Sequence, residues 1–104
     1  MNLWIDDVRP MPDGFDYHAK TAQEAIHLLT TFACADLISF DHDLGEPECG
    51  TGYDVAVWIE HKAYIGVCKF KNYLIHSANP IGRKRIDDAM RSAEKLLQKA
   101  KNWR

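Results

Sequence analysis

Paired cysteines are missing from this chain. Its three cysteines show no CxxC spacing, so neither a disulfide framework nor a zinc site is indicated. Cys34 and Cys68 stand beside apolar residues and read as small core hydrophobes. Cys49 falls in a loop near acidic residues, where nothing favours a reactive thiolate. Long apolar runs are missing too. No stretch approaches the ~20 apolar residues that a membrane helix requires. Asp6 and Asp7 interrupt the first apolar run too early for a signal peptide, so cytoplasmic residence is expected. Neither a Walker-type phosphate loop nor a dinucleotide fingerprint occurs. Basic side chains are scarce at first and then abundant. Residues 1–60 hold 2 basic and 12 acidic side chains, whereas residues 61–104 hold 11 basic and 3 acidic. That split implies an acidic, cation-attracting region and a basic surface suited to a phosphate-rich partner such as RNA.

What remains is ordinary globular composition, 46% hydrophobic and 27% charged, which predicts one domain over residues 1–104. Asn2–Ile5 is a short apolar run ending in Asp6-Asp7, the pattern of a buried parallel strand with polar groups at its carboxyl end. Pro10, Pro12, Asp13 and Gly14 make a loop, and Phe15–Ala19 reads as a second strand. Thr21 and Glu24 form a capping box for a helix ending near Phe32. Asp36–Phe40 is the next strand, again ending in carboxylates, Asp41 and Asp43, around His42. Thr51 with Asp54 starts a second helix that stops before Gly66. Lys69–Ile75 is the fourth strand and runs into His76-Ser77-Ala78-Asn79. Asn79-Pro80 starts a third helix, whose apolar stripe runs from Ile86 through Ala100 to Trp103. Strands alternating with helices predict a mostly parallel α/β sheet with helices on its faces.

In such folds, ligands bind beyond the carboxyl ends of the strands. Asp6, Asp7 and Asp41 all fall there, and together make a hard oxygen set suited to Mg²⁺ or Mn²⁺. His42 and His76 follow two strands that, as neighbours, would let the imidazoles face one cavity and act as general base and acid on a phosphodiester. Ser77 and Arg9 are candidates to hold phosphate. Asn79 caps a helix whose amides offer an anion site, and Thr51 and Gly52 supply flexible backbone beside Asp41.

These residues resemble the receiver domain of two-component signalling. Leu-Trp-Ile-Asp6-Asp7 is similar to its first strand and acidic pair, Asp41-His-Asp-Leu-Gly to its phosphoacceptor strand, and Ile75-His-Ser77-Ala to the strand with the switch hydroxyl. The Asp7–Phe15 loop is too short for the receiver's first helix, and the fifth strand with its lysine has no counterpart, which argues against phosphotransfer. Closer still is the resemblance to the cyclic-phosphate-processing, receiver-like proteins of bacteria and phages. It is carried by Asp6-Asp7-Val-Arg9-Pro10, Asp41-His42-Asp43-Leu44-Gly45, Gly50-Thr51-Gly52-Tyr53-Asp54 and His76-Ser77-Ala78-Asn79-Pro80.

The resemblance implies a truncated flavodoxin-like parallel sheet of about four strands ordered 2-1-3-4, with helices on both faces. It also implies a metal-assisted hydrolase processing cyclic phosphates of nucleotides or RNA ends. In that reading Asp6, Asp7 and Asp41 bind Mg²⁺ or Mn²⁺, and His42, His76 and Asp41 are catalytic. Arg9, Ser77, Asn79, Thr51 and Gly52 would hold substrate. The alternative is a non-catalytic pseudo-receiver that engages RNA or protein through the basic helix Arg83–Arg104.

Overall fold

The computed structural model of the chain describes residues 1–102. Its elements are β1 (Asn2–Ile5), β2 (Tyr17–Ala19), α1 (Ala22–Phe32), β3 (Cys34–Phe40), a 3-10 turn at Pro47–Cys49, α2 (Gly52–Tyr64), β4 (Lys69–Ile75) and α3 (Pro80–Asn102). The four strands form one parallel sheet in the order β2-β1-β3-β4, as the receiver resemblance implies.

Local chemistry sets the helix boundaries. Thr21 Oγ1 accepts from the Glu24 amide at the start of α1. Thr51 and Asp54 close a reciprocal capping box on α2. Asn79 Oδ1 accepts from the Gly82 amide ahead of α3, with Pro80 in the first turn, where its missing N–H costs nothing. β2 begins two residues later than expected, because Phe15 leaves the strand to pack edge-on against Trp4, ring centroids 5.2 Å apart. β3 begins earlier, at Cys34, which pairs with Lys69 and is exposed, not in the core; Cys68 is buried as expected. Ala100 and Trp103, the last members of the predicted α3 stripe, lie outside the residues whose side chains are described, as does Arg104.

One finding changes the expected layering. Register places Leu3, Ile5, Ala19, Ile38 and Phe40 on one side of the sheet. They share a single core with Ala25 and Leu29 of α1, Val55 and Ile59 of α2, and Ile86 and Met90 of α3. The helices therefore gather on one face, not two. The reason is handedness: parallel crossovers are right-handed, and β2–α1–β3 and β3–α2–β4 both travel the same way across the sheet. Only the β1–β2 connection runs the other way, and it carries no helix. Trp4, Ser39 and Leu74 point to the second face, where Leu74 is 55% exposed. Trp4 and Ser39 are nonetheless buried there, and the site explains why.

Candidate functional site

The sheet ladder continues one residue past each of three strands. The Asp6 amide donates to Ala19 O, the Asp41 amide to Ile5 O and the His76 amide to Phe40 O. Each chemistry-bearing residue is thus fixed by backbone bonding to the neighbouring strand before its side chain makes any contact.

Asp6 is fully buried. Its Oδ1 accepts from the amides of Val8 (2.8 Å) and Arg9 (2.7 Å), and its Oδ2 lies 2.9 Å from His76 Nε2. Burial pushes the Asp6 carboxyl up, but the two amides and His76 outweigh it and hold the pKa below the usual range. Asp41 behaves oppositely: burial, then repulsion from Asp6, raises its pKa, against the pull of the His42 amide and the Ser77 hydroxyl. His76 is pushed down by burial, although Asp6 and Asp41 both favour its charged form. Its ring stacks on Trp4 with centroids 3.9 Å apart, and its Nδ1 lies 2.7 Å from Ser39 Oγ. These contacts cover Trp4 and Ser39 on the face without helices.

Asp6, Asp7 and Asp41 each bring an oxygen within 4.8 Å of the others. They floor a cleft of about 420 Å³ whose walls also include Val8, Arg9, Asp43 and Gly45. Opposed ligands of an octahedral Mg²⁺ stand ~4.2 Å apart at the usual ~2.1 Å ion–oxygen distance. The carboxylate oxygens, up to 4.8 Å apart, stand slightly wider than that span, so the all-carboxylate set would have to close a little on Mg²⁺ or Mn²⁺; a cation there would relieve the Asp6–Asp41 repulsion. Arg9 is the basic side chain on the cleft. Its Nη1 donates to His76 O (2.6 Å) and stands 3.9 Å from Asp6 Oδ2, while the side chain is 49% exposed.

The remaining predicted residues have other engagements. His42 Nδ1 lies 2.9 Å from Asp43 Oδ1, and its ring packs over Gly82, where a Cβ would stand 2.4 Å from it. The two imidazoles thus turn to different neighbours, and neither is among the residues lining the cleft. Ser77 is buried, and its Oγ accepts from the Asn79 amide (3.1 Å). The Asn79 and Thr51 side chains are occupied as helix caps. The Gly52 amide donates to His42 O, and a Cβ on Gly52 would collide with Asp41 O at 2.0 Å. Close approach of α2 to Asp41, not loop flexibility, is why glycine stands there.

Sequence reasoning missed three participants. Ser39 had a signal, a lone hydroxyl inside the apolar run Leu37–Phe40, and Gly82 had one as a costly glycine in the first turn of a helix. Trp4 read simply as core.

Fold and acidic cleft together define a receiver-like α/β domain whose carboxylates sit at the ends of β1 and β3. Family comparison makes this specific. The model of the cyclic-phosphate processing Receiver domain matches residues 1–92, and the chain belongs to that family. Comparison with curated proteins and with solved structures found no match. No helix among the described residues is long and apolar enough to cross a membrane.

Proposed function

We propose that this chain is a cation-dependent phosphoesterase that opens cyclic phosphates of nucleotides or RNA ends. The observation that carries the reading is the convergence of Asp6, Asp7 and Asp41 on one small volume beside Arg9. Mg²⁺ or Mn²⁺ held by the three carboxylates would supply Lewis-acid polarisation of a phosphoryl oxygen. Arg9 keeps guanidinium N–H groups free to grip the phosphate, because only Nη1 is engaged with His76 O. In the reaction a water oxygen bonds to phosphorus, one ring P–O bond breaks, and the ring oxygen leaves with a proton. Because that oxygen stays tethered, the product is a single phosphomonoester. His76, tied at both nitrogens, is poorly placed to carry that proton. His42, adjacent to Asp41 and oriented through Nδ1 by Asp43, is the better candidate through its Nε2.

Separation of both imidazoles from the cleft lining favours a second reading, a module that binds cation and cyclic phosphate without turnover. One experiment separates the two. The protein is incubated with 2′,3′- and 3′,5′-cyclic nucleotides plus Mg²⁺ or Mn²⁺, with phosphomonoester formation followed by phosphorus NMR. Turnover that falls at least 100-fold in Asp41→Asn and His42→Ala supports the enzyme. Cyclic phosphate bound but left intact supports the module, and neither turnover nor binding defeats both readings.

A further inference from the structure

Among the residues lining the cleft, Val8 alone carries an apolar side chain; the rest are four aspartates, Arg9 and Gly45. Val8 is also the most exposed large apolar side chain among the described residues, at 81%, and takes no part in the core. Its backbone is nevertheless held firmly. The Val8 and Arg9 amides both donate to Asp6 Oδ1, at 2.8 and 2.7 Å, which fixes Val8 between Asp7 and the guanidinium-bearing Arg9. A β-branched side chain on a fixed backbone has few rotamers to lose, so a contact with it costs little ordering entropy. The cleft of about 420 Å³ also falls in the ~300–1,000 Å³ range of small-molecule sites, which leaves room beside a phosphate.

We propose that Val8 is a specificity-determining residue whose isopropyl group takes the nucleoside portion of the substrate while Arg9 grips the cyclic phosphate. The assignment rests on the phosphoesterase reading, which sets that phosphate beside Arg9. The sugar and base of a nucleoside present C–H edges and a π face, and laying them on Val8 removes apolar surface of both partners from water. The aspartates of the same wall are committed to charge and offer no such surface. Valine has no side-chain donor or acceptor, so it detects that a base is present without reading which base it is. Covering a valine side chain in this way is worth about tenfold in binding.

Two compounds with the same five-membered cyclic phosphate test the assignment: adenosine 2′,3′-cyclic phosphate and glycerol 1,2-cyclic phosphate. Each is titrated with Mg²⁺ or Mn²⁺ present, and KM and kcat are read from turnover, or Kd from calorimetry where binding occurs without turnover. Wild type should favour the nucleotide at least tenfold, with the difference lying in KM or Kd. Val8→Ser should cut that preference about tenfold, whereas Val8→Ile, which keeps the apolar surface, should preserve it. Equal handling of the two compounds by wild type, or a full preference retained in Val8→Ser, would overturn the assignment and leave the phosphoesterase reading standing. A Val8→Ser loss confined to kcat would overturn it too, because apolar contact with the nucleoside acts on binding. Protein that neither binds nor opens either compound removes the phosphoesterase reading, and the Val8 assignment with it.

Discussion

Burial and the neighbouring Asp6 charge raise the pKa of Asp41, so its ionised carboxylate costs folding free energy at neutral pH. A residue kept for a fold should not carry such a cost; one kept for a cation can. In EDTA at pH 7, Asp41→Asn should therefore melt a few degrees above wild type. Added Mg²⁺ should raise the wild-type melting temperature and leave the variant unmoved, because only a native-state ligand set gains from the ion. Thermal unfolding by circular dichroism tests both halves, and an unchanged or lower metal-free melting temperature would remove the argument from repulsion. Asp6, Asp7 and Asp41 were legible in the sequence because Asp6 and Asp41 follow directly on apolar strands and Asp7 comes one residue later. The orientation of the two histidines was not legible. It depends on Ser39 and Trp4 on one side and Gly82 on the other, contacts that join distant parts of the chain.

At the scale of elements, capping chemistry is strictly local, which is why helix starts at Thr21, Thr51 and Asn79 could be read directly from residue type. The distribution of helices over the two faces was not read correctly, because it depends on strand order and crossover direction together. The approach of α3 to the β3 end was also invisible, and it rests on Gly82. Alanine there gains ~1 kcal/mol in helix propensity but would set a methyl 2.4 Å from the His42 ring. The ring can turn, but the methyl would also stand 2.8 Å from His42 Cβ, which the backbone holds, so the helix start bound by Asn79 and Arg83 would have to shift as well. Gly82→Ala should thus lower the melting temperature by several degrees, displace the His42 ring resonances and lower turnover about tenfold or more. Unshifted His42 resonances would contradict the packing argument.

The whole molecule separates charge by region. The acidic half builds the cleft, while much of the basic charge on α3 is already engaged. Arg83 donates to Ile75 O and Ser77 O, Lys84 and Arg91 pair with Asp88 and Asp87, and Arg85 lies over Tyr53. Among the residues whose side chains are described, contact with RNA through this helix would therefore fall to Lys95 and Lys99, both exposed.

Stability against pH should then be governed at the cleft, and the signs can be worked out group by group for the metal-free protein. His76, with its pKa pushed below 6.5 by burial, is protonated first in the unfolded chain. Its contribution is complete above pH 6.5 and drains away as pH falls toward its folded value. Asp6, held below 3.8 because its amide and His76 hydrogen bonds overcome burial, contributes above 3.8 and loses that contribution as pH falls through its folded value. Asp36, lowered by the N-terminal amine and Lys71, runs in the same direction. Asp41 opposes them, since its penalty at neutral pH disappears as pH falls through its raised pKa toward 3.8. The expected profile has a plateau above 6.5, a shallow decline softened by Asp41 above 3.8, and a steep loss below 3.8. Urea midpoints from pH 8 to 3 at constant ionic strength measure it. In His76→Gln the upper decline should vanish while the steep loss remains, and a variant profile that still declines from 6.5 would place the upper titration elsewhere than in His76.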